Sequence, residues 1–589
     1  MLFRPRRILP TTGLLLCAAH VAGAITVTLT PSLPAPAPVG TLVAFTAGVS
    51  DSSGGNLWYR FRVRRQGGTY QMIRDYGPNP ELDWTASNHE GFYEIEVTAR
   101  ELDGGTESTV SSLYQFQPLV TGADAVVSPT LNSLVFLYSA PPCDFGSRMR
   151  VQFQTDGGPA QNTPWENCVP GVTMNFYLAG MLANTTYSAH HVVDTGSAFV
   201  TASDTPFTTG SLPPGLVTET IMLQSPASSG DSILLGAPLS ASPVAYDLAG
   251  NILWYGPRGM TFLARVEAGG GFWGILEGAG DTSQQIVRKY DLAGMTLLET
   301  NASRVNEQLA AMGKRTITGF HHEARPIAGG RMAVLAGVEK IVTDVQGPGN
   351  VDVLGDMIVV LDRDLNVVWA WDSFENLDVR RRAVMGEVCP GSGCPAFYLA
   401  SSANDWTHGN SLQETADGDL LYSARNQDWL IKISYDGGEG DGHIIWRMGM
   451  GGDFQVLSSD PYPWFSHQHD GNFESTDPTR LMVFDDGNTR ITQMHGGHSR
   501  GQVYRIDEQS FVAIPILNAD LGVYSLAVGS AQRLLNGDYH FDAGFVLESD
   551  GAMEAYSFQV NPEGKIVYAA HQGAALYRTF RMTDLYTPR

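Results

Sequence analysis

Cysteine is scarce in this chain, with five in 589 residues, and the spacing of Cys143, Cys168, Cys389 and Cys394 matches no zinc motif. Basic residues are few as well. Thirty-seven Lys and Arg stand against 61 Asp and Glu, for a net charge of −24. No basic cluster follows the N-terminus, which argues against nucleic acid as a partner. Past residue 24 no apolar run approaches the ~18 residues that cross a bilayer as a helix. Heptads are missing, so a long coiled coil is excluded. Charged residues make up only 17% against 43% apolar, which excludes a mainly disordered chain.

What is present points to β-structure. A chain of 589 residues exceeds the ~250–300 at which one core stops growing, so several domains are expected. Gly (65) and Pro (32) are spread without a period, as in short turns, and Phe, Trp and Tyr reach 10% beside frequent Val and Thr. The expected fold class is all-β. The N-terminus reads Met1-Leu-Phe-Arg-Pro-Arg-Arg7, then an apolar stretch through Leu14, Leu15 and Leu16, then Val21-Ala22-Gly23-Ala24. That is the layout of a signal peptide over 1–24, and removing Arg4, Arg6 and Arg7 takes the net charge from −24 to −27. The mature protein is expected to be exported, to a periplasm or the extracellular space. Four cysteines remaining in an exported chain favour disulfides. Three pairings can be drawn, of which Cys143–Cys168 with Cys389–Cys394 is the simplest; a catalytic thiol is the lesser reading.

Residues 25–119 alternate apolar and polar residues in short runs, such as Trp58 to Val63 and Tyr93 to Val97, and 120–212 repeat that character. Two Ig-like or fibronectin-like β-sandwich modules are expected there, with Pro213-Pro214-Gly215 as a hinge. Residues 213–589 carry a weak internal repeat. Tyr246-Asp-Leu-Ala-Gly-Asn-Ile-Leu-Trp254 returns at Tyr290 to Leu298, Leu361 to Trp369 and Val560 to Tyr568, with looser copies at Ile433 to Trp446 and Ile506 to Val512. Each reads as a strand, a tight polar turn and a second strand. Six such hairpins predict a β-propeller of roughly six blades. A second recurring hairpin lies between them, at Ala324 to Leu335, Ser411 to Ser423 and Gln532 to Phe541.

Histidines gather at the start of that second hairpin or its equivalent: His321-His322-Glu323, His408-Gly409-Asn410 and His467-Gln468-His469-Asp470. If the blades are equivalent, these imidazoles converge near one end of a central channel. Converging imidazoles serve as metal ligands or as nucleophiles and acid–base groups near neutral pH. His467 and His469 are two apart, which on a regular strand places them on one face. Asn410 shares a face with His408 on the same condition. Arg425 ends the partner strand of the hairpin begun at His408 and can return to the same end of the channel, or pair instead with Asp428. Several imidazoles with an Arg fork and an Asn amide suit a tetrahedral oxyanion better than a metal ion.

Phe320-His321-His322-Glu323 before a Gly turn, His408-Gly-Asn410-Ser411, Ser423-Ala-Arg425-Asn-Gln427, Gln468-His469-Asp470 and Phe484-Asp-Asp-Gly-Asn-Thr-Arg490 followed by Ser499-Arg500 occur in one order. This ordered set, over about 215–589, resembles the arylsulfate sulfotransferase family of the PAPS-independent type. The resemblance implies a six-bladed propeller behind an N-terminal β-domain. It also implies sulfuryl transfer from an aryl sulfate donor to a phenolic acceptor through a sulfohistidine, with ping-pong kinetics and no cofactor. On this resemblance His469 is the nucleophile, His408, Asn410 and Arg425 hold sulfuryl oxygens, and His322 binds an oxygen or carries the acceptor proton. His321 competes with His322, and His467 with His469, for a place at the site. Two departures stand out: Glu323 where the family usually has Asp, and Asp485-Asp486-Gly where it has Asp-Asn-Gly. Two N-terminal modules also exceed the usual single domain. Trp406, Trp464 and Tyr504 are aromatic pocket candidates by proximity in sequence.

Two other readings of the histidines stay open: a secreted propeller that binds a glycan or a protein, and a metal-dependent propeller enzyme with histidine ligands. The partners expected are small molecules, without nucleic acid or a membrane span, and a homodimer is an open alternative.

Overall fold

The computed structural model describes residues 25–588 apart from 51, 53, 103–104, 226–229, 258, 261, 277–280 and 391–393. The segment read as a signal peptide, 1–24, lies outside the described residues. The chain is all-β. Among the described residues no helix is long and apolar enough to cross a membrane.

In the N-terminal region, alternating sequence becomes alternating burial. Along Val43–Ser50, Val43, Phe45 and Ala47 are buried while Thr46 and Gly48 face solvent. That strand pairs with Thr26–Pro31 and Glu81–Trp84; a facing sheet contains Leu57–Arg65, Gly91–Glu101 and Glu107–Gln117. Phe45, Phe61, Leu82, Ile95, Val97 and Phe116 fill the space between, each large apolar side chain contributing about 1.5–3 kcal/mol on burial. A second core is built from Tyr138, Val151, Phe153, Phe176 and Tyr187, and the Cys143–Cys168 disulfide belongs to this region. The other disulfide joins Cys389 to Cys394, so the simplest pairing is the one formed.

Among the described residues, the rest of the chain forms six antiparallel sheets with four strands in common order. Their first strands are Phe262–Glu267, Gly319–Ile327, Gly409–Glu414, His469–Glu474, Gly529–Arg533 and Leu576–Met582. These first strands touch one another in cyclic succession, the last against the first. Two exchanges close the cycle. The C-terminal Leu576–Met582 pairs with Ile233–Pro238, and the early strand Glu219–Gln224 pairs with Ile566–Gln572 of the preceding sheet.

The repeated hairpins form the third and fourth strands of these sheets. Their polar turns have a local cause. Asp247 Oδ1 accepts the backbone N–H groups of Ala249 and Asn251, and Asp291 and Asp362 accept the corresponding pairs in their own turns. The three hairpins of the second kind are the first and second strands of their sheets.

Both N-terminal units are tied to this assembly. Gln71–Gly77 pairs in parallel with Thr296–Asn301 at Arg74 and Glu299, while Arg100 meets Glu307 at 2.6 Å and Arg304 meets Asp75 at 3.2 Å. From the second unit, Asn132 Nδ2 donates to Tyr255 O at 2.7 Å. Tyr586, near the C-terminus, accepts from Ala179 N at 2.9 Å and donates to Tyr177 O at 2.8 Å.

Candidate functional site

Three neighbouring first strands are irregular at the same end. The register slips between Phe320 and Ala324, Gly409 and Ser411, and His469 and Asn472. Left-handed backbone accompanies each slip, with φ of +57° at His322, +50° at His408, +52° at His467 and +48° at Asp470. Such conformations cost of order 1–3 kcal/mol each in a residue with a Cβ, and the bulges turn side chains that a regular strand would alternate. This is how His322 and His408, from different sheets, come to lie ring to ring with centroids 4.9 Å apart.

Each strand-start histidine is anchored through a carboxylate. His408 Nδ1 lies 2.5 Å from Asp405 Oδ2, and His469 Nδ1 lies 2.9 Å from Asp486 Oδ2. His321 Nε2 lies 3.0 Å from Asp356 Oδ1, and its Nδ1 is 3.0 Å from His322 Nδ1. His469 Nε2 accepts the Val528 N–H at 3.2 Å, so its ring proton sits on Nδ1 and Asp486 receives it. Burial and then Arg425 hold the His469 pKa well below the usual imidazole value; burial and then His408 do the same to His322. Both rings are therefore neutral bases. Burial pushes the Asp486 carboxyl well up, against the pull of Arg425.

Arg425 follows Leu420–Ala424, the partner strand of Gly409–Glu414, and returns to the His408 end. Its Nε is 3.8 Å from the same Asp486 oxygen that holds His469, and its terminal nitrogens donate to Asn426 Oδ1 at 2.8 Å and Leu526 O at 3.1 Å. Asp428, the alternative partner considered for it, holds His467 instead, at 2.9 Å from Nδ1. The side chains of His408 and Arg425 remain 13% and 11% exposed, against 2% for His469, so these two stand at the mouth and His469 behind them. Asn410 donates from Nδ2 to Gln468 O at 2.7 Å, and its Oδ1 is buried without a partner. One of its two amide hydrogens stays uncommitted.

Some expectations change. His467 does not share a face with His469, because His467 precedes the strand in left-handed backbone and turns to Asp428 and Glu387. Burial and Arg425 depress its pKa, but those two carboxylates outweigh them and hold it above the usual value. Trp406 packs on Phe374, and Trp464 stacks on Tyr504 within a core. None of the three lines the histidine cluster. The aromatic neighbours are Phe262 and Tyr577, whose ring centroids lie 5.7 and 5.6 Å from that of His322. Sequence reading missed these two, together with the anchors Asp356, Asp405 and Asp486. Asp405, three residues before His408, and Asp486, in the Asp485-Asp486-Gly turn, carried a local signal, while Asp356 did not.

Beneath the histidines, Arg265 donates to Glu323 Oε2 at 2.7 Å and Asp470 Oδ1 at 2.6 Å, and Arg578 donates to Glu323 at 3.0 Å. The additional length of Glu323 over Asp serves two guanidinium groups at once. Among the described residues the one trio of metal-ligating types with atoms within 4.8 Å is Cys389, Cys394 and Asp405, and its two sulfurs are joined to each other. The histidines form no such trio. Their anchors take one nitrogen from each ring, and cations stand alongside.

The profile of the family described as Arylsulfotransferase (ASST) matches residues 219–578. No curated protein matches the chain. Among solved structures, the chicken CNTN1 FN1–FN3 domains are similar at 13% identity and a TM-score of 0.13, over 31% of this chain and 67% of that one. At that score the likeness carries no argument.

Proposed function

This chain belongs to the arylsulfotransferase family and is an aryl sulfotransferase enzyme, and from that premise we propose that it moves a sulfuryl group from an aryl sulfate to a phenol through His469. The observation that carries this reading is the anchored, neutral His469. Its Nδ1–H is committed to Asp486, beside which Arg425 stands, while Nε2 carries the lone pair and holds it only against the Val528 N–H. In the first step Nε2 attacks sulfur, an N–S bond forms and the S–O bond to the aryl group breaks, so the bond pair leaves on phenolate. Arg425, His408 and the uncommitted Asn410 N–H hold the sulfuryl oxygens, and the Val528 N–H, released from Nε2, joins them. In the second step the acceptor oxygen attacks sulfur, the N–S bond breaks and His469 regains its lone pair. His322 Nε2 takes the acceptor proton. The His322–His321–Asp356 chain leaves that nitrogen unprotonated, since Asp356 favours the His321 proton on Nε2 and His322 then donates from Nδ1.

The same proposal extends to the architecture. The six sheets are blades of one propeller, with residues 213–589 as the catalytic domain behind β-sandwich modules at 25–119 and 120–212. The cyclic contact of the six first strands and the two strand exchanges support it. The signal peptide and the two disulfides belong to an exported enzyme.

The test is incubation with 4-nitrophenyl sulfate, with and without phenol, in chelator and without nucleotide. Nitrophenol release that requires phenol supports the transfer. Equal release without phenol means hydrolysis and contradicts it.

A further inference from the structure

The first strands continue past the histidines to a second cavity. Arg325 follows His322 by three residues and Asn472 follows His469 by three, which puts them about 10 Å along the strands at 3.3 Å per residue. There a cavity of about 310 Å³ is lined by Arg265, Arg325, Asn472, Gln532 and Phe580, together with the carboxylates Asp470 and Glu267. The ion layer of Arg265, Arg578, Glu323 and Asp470 lies between it and the histidines.

The charges in and below this layer do not balance. Arg265, Arg325 and Arg578 face two carboxylates, Glu323 and Asp470, and both carboxylates are taken by Arg265 and Arg578. Glu267, at the rim, pairs with Lys289. Asp542, behind Thr579, has its carboxyl pushed well up by burial. Arg325 is left with one hydrogen bond, to Leu412 O at 2.8 Å, and among the described residues no carboxylate lies within 4 Å of it. Burial and then Arg265 pull its pKa down to about 9, a measure of how poorly the cation is compensated. Of the neighbouring amides, Asn472 donates both hydrogens, to Asp470 O and Ala531 O, while Gln532 donates one, to Arg581 O, and keeps the other.

We propose that this cavity binds a small oxyanion, a sulfate group held by the Arg325 guanidinium, at a site separate from the histidine cluster. A guanidinium offers paired N–H donors to two oxygens, which fits sulfate whether inorganic or carried on a small organic ligand. Phe580, Pro326 and Val266 supply apolar wall that inorganic sulfate would not need. The site stands on its own geometry and does not depend on the transfer chemistry.

The experiment is calorimetric titration of the full mature chain with sodium sulfate and with 4-nitrophenyl sulfate at constant ionic strength. It uses wild type, Arg325→Gln and Ala268→Trp. Ala268 is exposed at the cavity rim, so its substitution blocks entry without touching the ion layer. Wild type is expected to show one more site for sulfate than either variant, with kcat and KM for the transfer unchanged. Loss of a site for inorganic sulfate assigns the free ion as sufficient. Loss seen only with 4-nitrophenyl sulfate assigns an organic sulfate. Isotherms of both variants indistinguishable from wild type would overturn the proposal, and they would leave the transfer assay unaffected.

Discussion

His469 Nδ1 stands 2.9 Å from Asp486 Oδ2, and Arg425 Nε reaches the same oxygen at 3.8 Å. One carboxylate thus fixes the nucleophile's tautomer and locates the cation beside it. Asp486→Asn keeps an acceptor oxygen but exchanges the carboxyl for an amide; kcat is expected to fall about 10–100-fold, the scale of positioning shells, with KM little changed. Comparison with the truncating Asp486→Ala separates the effects, because loss of the acceptor should cost more than exchange of the carboxyl for an amide. Arg425 also lowers the His469 pKa, so its removal acts on pH dependence with a definite sign. In wild type the acid limb of kcat/KM lies below the ordinary imidazole range, since His469 stays neutral as pH falls. In Arg425→Gln the limb is expected to move to higher pH while the plateau drops. A pH–rate profile of both proteins reads the two changes. The histidines were legible in sequence because they cluster where strands begin. Asp356 was not, and for Asp486 the turn stood out but not its hold on His469: each sits on a different strand or turn from its histidine and reaches it only when sheets or hairpins close.

At the scale of elements, Glu219–Gln224 is the strand that joins an early segment to the sheet that begins at Gly529–Arg533. Glu219 is buried and accepts from Gln572 at 2.7 Å and Tyr568 at 3.3 Å. Burial pushes its carboxyl from 4.5 to about 7. A raised acid pKa means that the folded state favours the protonated form. Its contribution is complete below the unfolded value near 4.5 and is lost as pH rises through about 7. Glu219→Gln, which stays neutral, is expected to raise the melting temperature at pH 8.5, by roughly 1–3 kcal/mol of stability, and to change little at pH 5. Unfolding scans at both pH values check this. Hairpins were readable because a polar turn between apolar runs is local chemistry. The bulges were not, since left-handed His408 and His467 follow from how the sheets meet; this is why regular-strand face rules misplaced His467, and why Trp406 went to a core.

Across the whole molecule, the C-terminal segment does two jobs. Leu576–Met582 completes the sheet of the earliest strands, and Tyr586 then reaches Tyr177 and Ala179 in the second N-terminal unit. Tyr586→Phe removes both hydrogen bonds, a loss of about 1–3 kcal/mol with the Ala179 N–H left buried. Faster amide exchange over Met174–Leu178 is expected, without a change in kcat, since the histidine cluster lies on other strands. The all-β class and the succession of segments were legible from composition and repeats. How the N-terminal units dock was not: it rests on Arg100 with Glu307, Arg304 with Asp75 and Tyr586 with Tyr177, pairs separated by hundreds of residues. The central claim is a covalent sulfohistidine at His469. Mixing the mature enzyme with 4-nitrophenyl sulfate in the absence of phenol, quenching in alkali and mapping the peptides by mass should find one added sulfuryl group on His469. Addition of phenol before the quench should remove it. No adduct in wild type under conditions of phenol-dependent turnover, or undiminished phenol-dependent turnover in His469→Ala, would contradict the account.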